Sequence, residues 1–269
     1  MAVPFSTAFK NGDFIKPSVQ HSSKNNTPSL GENLYQRLLR QIIDGELTPH
    51  QQLLSERQLS EQYNVHRGLV REALKRLEAH KLIETRHGGG SRVLDFRTNG
   101  GLDLLEPMML KTDGSPNLEV VQDIIEWRED LSITLACRAS LRNGPLLAEQ
   151  LDQIILEMRQ TNPDDLSQLQ ALSLRYWDDI ADATQNLAYR LALNSFKAAY
   201  APFQNLVLPL LKTALQDFQS YQNLADAIRS GDPEQSAQMA HRLVSIDEHK
   251  ISPHSAVRRK SGSKGDASG

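Results

Sequence analysis

The sequence predicts a mainly α-helical protein in two parts, an N-terminal winged helix-turn-helix and a C-terminal all-α helical bundle. Three observations predict it. Apolar residues recur at helical spacing through most of the chain. The period shortens to that of strands only around a run of three glycines. The helix before those strands carries a basic stripe opposite its apolar one.

The elements follow in order. Residues 1–28 are polar, with "HSSKNNTPS" before the first periodic segment, and read as a disordered arm. In "LYQRLLRQII", Leu34, Leu38, Leu39, Ile42 and Ile43 share one stripe, and "DGELTP" breaks the helix. Ser55 and Gln58 in "SERQLSEQY" have the spacing of a capping box, which starts a second helix of about two turns. "HRGLVREALKRLEAHK" forms a third, with Leu69 or Val70, Ala73, Leu74 and Leu77 inward and Arg67, Arg71 and Lys75 outward. "LIETR" and "SRVLDF" read as a β-hairpin whose tip is His87 to Gly90. Together these make a winged helix-turn-helix over residues 29–97. Residues 98–117 read as a linker with a hinge at Gly100–Gly101 and room for a short helix in "LDLLEPMML". From 118 to 250 the spacing predicts an all-α domain with helices at 118–142, 145–160, 164–184, 187–201, 204–230 and 233–249. Residues 251–269, behind Pro253, read as a disordered tail.

Composition narrows the function. The net charge is −3, yet Gly31 to Arg97 holds eleven Lys/Arg against nine Asp/Glu, so the rest carries about −5. The single cysteine, Cys137, excludes an internal disulfide and CxxC zinc modules, and fits a reducing compartment. The start lacks a basic stretch followed by an apolar run, and no segment approaches the ~18 apolar residues of a membrane span. A cytoplasmic protein without a membrane partner is expected.

"TRHGGGSRV" raises two enzyme readings, and both fail. A phosphate-binding loop needs Lys-Ser/Thr and a helix after its glycines, but strand-like "SRVLDF" follows. An esterase HGGG motif needs a G-x-S-x-G elbow, and the chain has none. Asp178 and Asp179 are adjacent on a helix and point apart, so no catalytic pair is legible. No enzyme is expected. Recognition of DNA fits better: a recognition helix presents base- and phosphate-reading side chains from its N-terminal end. Arg67 and Arg71 stand there, Lys75 or Arg76 would meet phosphates, and Arg57 on the second helix would clamp the flanking backbone. At the hairpin tip the glycines keep bulk low, and Arg86, His87 and Arg92 supply donors. The plainer reading of these charges is a solvated basic face.

"LLSERQLSEQYNVHRGLVREALKRLEAHKLIETRHGGGSRV" resembles the DNA-binding domain of the GntR family of bacterial transcription regulators over about residues 33–95. The resemblance implies DNA contacts from Arg57, Arg67 and Arg71, with His66 and Gly68 beside them, and a wing tip at His87 and Gly88 that reaches the minor groove. His66 stands where the family usually has Ser or Thr, and is a weaker N-cap; Gly68 replaces a common Thr. "VLDFRTNGGLDLLEPM" and "IIEWREDLS" resemble the fatty-acid-responsive members of the FadR subfamily. That implies a homodimer on a pseudo-palindromic operator, with an acyl-coenzyme A effector in the helical domain near Arg128 and Tyr200. Arg128 would neutralise a phosphate or carboxylate, or else pair with Glu129 or another acid; Tyr200 is otherwise a core aromatic.

Many members of the subfamily hold a metal with one Asp and three His. Here Ser173, Trp177, Tyr221 and the neighbourhood of Leu243 replace them, with His241 on another helix face, so no metal and no cofactor are expected. His241 and His249 read as surface or pocket-edge residues. Two further readings stay open, a regulator of the same build that senses a small organic acid and a helical interaction protein with an incidental basic helix.

Overall fold

The computed structural model describes residues 30–86, 89–111 and 115–245. The chain falls into two compact units that divide between Val120 and Val121. The predicted arm and tail, residues 1–28 and 251–269, lie outside the described residues.

In the first unit, α1 (Leu30–Ile43) packs Leu34, Leu38, Leu39 and Ile42 against Val70, Ala73, Leu74 and Leu77 of α3 (Arg67–Ala79). Between them lies α2 (Glu56–Tyr63), whose Leu59 joins the same core. The predicted capping box is present: Ser55 Oγ accepts from the Gln58 N–H at 3.3 Å, and Gln58 Oε1 accepts from the Ser55 N–H at 3.0 Å. Asn64 ends α2 in the left-handed region, and the tight turn leads to His66, an N-cap without a side-chain cap bond.

The hairpin pairs β1 (Ile83–Arg86) antiparallel to β2 (Gly90–Val93), in a register from Ile83↔Val93 to Arg86↔Gly90. Alternation turns Ile83 and Val93 into the core. A third, strand-like segment runs along β2: the N–H groups of His50 and Leu53 donate to Val93 and Ser91, both at 2.8 Å, and Val93 N–H donates to Gln51 at 2.9 Å. The sequence pattern marks the preceding residues as a breaker only and gives no sign of this edge.

Beyond the hairpin, α4 (Phe96–Asn99), a 3-10 turn at Leu102–Leu104 and α5 (Leu105–Met108) follow. Residues 98–110, from the stretch expected as a linker, fold onto the first unit. Leu104 is buried in its core, Met108 packs against that core, and the Arg40 guanidinium donates to the Leu110 carbonyl. Gly100, expected as a hinge, has an ordinary φ of −72°. A Cβ there would lie 2.7 Å from the Phe96 carbonyl and closer still to Leu104 Cδ1, so close packing is what requires glycine.

The second unit is helical throughout. The predicted break at "NGP" is present: α6 (Leu118–Gln160) is two helical segments divided where Asn143 leaves the helical region at φ −151°, with Pro145 just beyond. Next come α7 (Leu166–Ala183), started by the Asp165 carboxylate on the Gln168 N–H at 3.0 Å, and α8 (Leu187–Tyr200). The single helix expected over 204–230 is instead broken into α9 (Gln204–Val207), a 3-10 turn at Leu208–Leu211, α10 (Lys212–Gln216) and α11 (Phe218–Arg229). Pro209 removes a backbone donor, and Asp217 leaves the helical region to cap α11 on the Ser220 N–H. The last helix, α12 (Pro233–Ser245), reaches the end of the described residues, so the expected stretch 246–249 falls outside them. Leu135, Leu147, Leu151, Ile154, Tyr176, Ile180, Leu224 and Ile228 form the centre of this core. Among the described residues no helix is long and apolar enough to cross a membrane.

Gly100→Ala is expected to destabilise the first unit by about 1–3 kcal/mol through overpacking. Gly68→Ala, whose added Cβ would meet nothing within 4 Å, is expected to raise stability by up to about 1 kcal/mol. Thermal unfolding of the two variants beside the parent protein checks both signs.

Candidate nucleic-acid interface and effector-binding residues

Because its apolar stripe faces α1, α3 turns Arg67, Gly68, Arg71 and Lys75 to solvent, with Arg67 in its first turn. The exposed His66 stands just before them. Two of the candidate arginines are held by carboxylates of α2: Arg71 Nε lies 2.8 Å from Glu56 Oε2, and Arg57 Nη1 lies 3.0 Å from Glu61 Oε1. Exposed pairs of this kind are worth at most about 1 kcal/mol, so a phosphate can displace the carboxylate at little cost. Sequence reasoning missed Glu56 and Glu61 as internal counter-ions; the four-residue spacing of Arg57 and Glu61 was the available signal.

Of the two residues expected to meet phosphates, Lys75 is exposed and Arg76 is engaged within the unit. Its guanidinium lies 2.5 Å from Glu32 on α1 and stacks 3.8 Å above the Tyr35 ring. The Arg76 hydrogen bond holds the Glu32 carboxyl below its usual range, with burial opposing it. Arg76 therefore fastens α3 to α1.

At the wing, Arg86 is exposed and pairs with Glu84 at 3.0 Å. His87 and Gly88 lie outside the described residues. The Gly89 N–H closes the turn on the Arg86 carbonyl at 2.9 Å, and Gly90 has φ +73°, a conformation that favours glycine. Gln52, from the strand-like segment, donates to the Gly89 carbonyl at 2.5 Å and so props the turn, a role with no signature in sequence. Arg92 differs from the expectation of an outward donor: it is half-buried, with Nη2 3.4 Å from His50 Nδ1.

In the helical unit Arg128 stands on α6 and Tyr200 on α8, near enough for the charge of one to act on the other. Burial pushes the Tyr200 phenol well above its usual range, and the Arg128 charge pulls in the opposite direction. The Gln170 amide donates to Tyr200 Oη; Phe196 stacks on the Tyr200 ring at 6.1 Å, and Trp127 meets Phe196 edge-on at 6.2 Å. Gln170 is buried, yet its Oε1 has no hydrogen-bond partner among the described residues. Sequence reasoning missed Gln170, Phe196 and Trp127, because aromatic and amide residues at helical spacing read as core. Glu129 pairs with His241 at 2.6 Å.

The four positions of the metal-binding pattern do not suit a metal. Tyr221 donates its hydroxyl proton to Ser173 Oγ at 2.8 Å, while Trp177 and Leu243 are buried and apolar. Two neutral hydroxyls and two apolar side chains offer no imidazole or carboxylate ligand. Among the described residues no group of three or more His, Cys, Asp or Glu could hold an ion.

A winged helix-turn-helix with an outward basic recognition helix, joined in sequence to a separate all-helical unit, defines a DNA-binding regulator with an effector domain. Residues 30–93 match the model of the bacterial regulatory proteins of the gntR family, and residues 123–245 match the FCD domain. HTH-type transcriptional regulator Mce2R of Mycobacterium tuberculosis is 38% identical over 218 residues, 81% of this chain and 90% of that protein. The chain belongs to the GntR family of transcription regulators, which are not enzymes. The fatty acid metabolism regulator protein of Yersinia enterocolitica is 30% identical over 164 residues, 61% of this chain and 66% of that protein. The solved structure of Lar, which controls expression of the Listeria monocytogenes agr system, shares the fold, with TM-score 0.52 at 15% identity over 84% of this chain and 98% of that one.

Arg67→Ala and Arg71→Ala are each expected to cost about 1–3 kcal/mol of specific operator binding, and to lower the slope of log affinity against log salt by about 1 for each phosphate the variant no longer neutralises. Glu56→Gln frees Arg71 and is expected to tighten binding by up to about fivefold. Arg76→Ala is expected to lower the melting temperature and leave the salt slope unchanged. Fluorescence anisotropy across a salt series, together with melting curves, checks all four.

Proposed function

We propose that this regulator binds a pseudo-palindromic operator as a homodimer and that a long-chain acyl-coenzyme A, held in the helical unit, sets its operator affinity. The observation that carries the effector reading is Tyr200 itself, which stacks on Phe196 with Trp127 edge-on to that ring and lies within reach of the Arg128 charge. A guanidinium and a phenol meet the polar end of such a ligand, and stacked aromatic rings line an acyl chain. The identity to fatty acid metabolism regulator proteins supports the same ligand class. In the DNA-binding unit, Arg57, Arg67 and Arg71, with His66 and Gly68 beside them, meet the major groove and its flanking phosphates, and the wing tip at His87 and Gly88 enters the minor groove.

The coupling is thermodynamic. An effector changes operator affinity only by as much as it prefers one arrangement of the two DNA-binding units, and operator DNA changes effector affinity by the same factor. Calorimetry with oleoyl-coenzyme A is expected to show binding to the parent protein, weakened about tenfold or more in Arg128→Ala, the loss of one charge-assisted hydrogen bond. The ligand is expected to shift operator affinity in the parent and to shift it less in the variant. Absence of oleoyl-coenzyme A binding would overturn the acyl reading in favour of a small organic acid.

A further inference from the structure

The residues after the wing do more than lead away from it. They grip the DNA-binding unit at two points: the Arg40 guanidinium, near the end of α1, donates to the Leu110 carbonyl, and Asp103 pairs its carboxylate with His80 Nδ1. Between these points Leu104 is buried in the core at 3% exposure. His80 is the C-cap of α3, and its own N–H returns to the Arg76 carbonyl at 3.1 Å. The grip thus falls on the far end of the helix whose first turn carries Arg67.

We propose that Leu102–Leu110 is a strap that holds α3 at its operator-binding angle, and that His80 and Asp103 are positioning residues for DNA recognition. A pair at the C-terminal end of α3 fixes the direction of the helix axis without contacting the groove that its N-terminal end enters. Charged groups on α1 and the strap surround the same corner. Tyr35 of α1 lies 6.0 Å from the His80 ring; it carries Arg76 on its face and feels the charges of Glu32, Asp103 and Glu106.

Two mechanisms give opposite signs. If Asp103 acted only as a negative charge near DNA, its removal would tighten operator binding. As half of a strap, its removal loosens α3 and weakens binding. The test uses the full chain and a duplex selected from a random pool, with affinity measured by anisotropy across a salt series. Asp103→Ala is expected to weaken binding about two- to fivefold, the range open to one partly exposed pair, with the salt slope unchanged because the same phosphates stay neutralised. Asp103→Glu, which keeps the carboxylate, is expected to restore most of the parent's affinity. Equal affinity of Asp103→Ala and the parent, or tighter binding by the variant, would overturn the proposal. His80→Gln, with melting curves for each variant, separates loss of the strap from loss of the fold.

Discussion

The packing of α3 on α1 is the contact on which the DNA-binding unit depends. Val70, Ala73, Leu74 and Leu77 meet Leu34, Leu38, Leu39 and Ile42, and each large aliphatic buried there contributes about 1.5–3 kcal/mol. The contact also fixes the rotation of α3 about its axis. A turn of one residue, about 100°, would bring a charged side chain into the core, so the outward direction of Arg67 and Arg71 follows from where the aliphatic residues must go. Gly31 lets the helices approach, since a Cβ there would lie 3.1 Å from Leu69 Cδ2, and Arg76 ties the same interface to Glu32 and Tyr35.

Polar satisfaction organises the helical unit. Tyr176 is fully buried and donates its hydroxyl proton to the Tyr221 carbonyl at 2.9 Å, while the Tyr221 hydroxyl donates to Ser173. Each phenol removed from water finds an acceptor, so these two tyrosines are structural. Tyr200 differs. It shares a hydrogen bond with a buried amide whose oxygen has no partner among the described residues, and it feels a guanidinium charge. An interior polar group kept at such a cost is a mark of a site, and the effector reading rests on that contrast between tyrosines of one unit.

Much of the first unit was legible because its signals are local. The capping box at Ser55, the heptad-like spacing in α3 and the glycine turn each act within a few residues, and each appears where expected. Contacts between residues distant in sequence were not legible. The pairing of Arg76 depends on Glu32, 44 residues away, and the strap depends on His80 meeting Asp103. The residues 98–110 looked like a linker because glycine and short polar runs mark loops, whereas Leu104 is core only once the first unit's apolar cluster has formed. In the helical unit, helix positions followed from periodicity, yet Asp217 read as an ordinary helix residue and is a cap. Arg128 and Tyr200 came from family resemblance, and Gln170 had no sequence signal at all.

The central claim is that the outward arginines of α2 and α3 form the surface that meets DNA. Arginine-selective labelling with phenylglyoxal, read residue by residue by mass spectrometry with and without operator duplex, tests it most directly. The account predicts that DNA protects Arg57, Arg67 and Arg71 while Arg175 and Arg229 of the helical unit label as before. Equal labelling of Arg57, Arg67 and Arg71 in the free and DNA-saturated protein would contradict it.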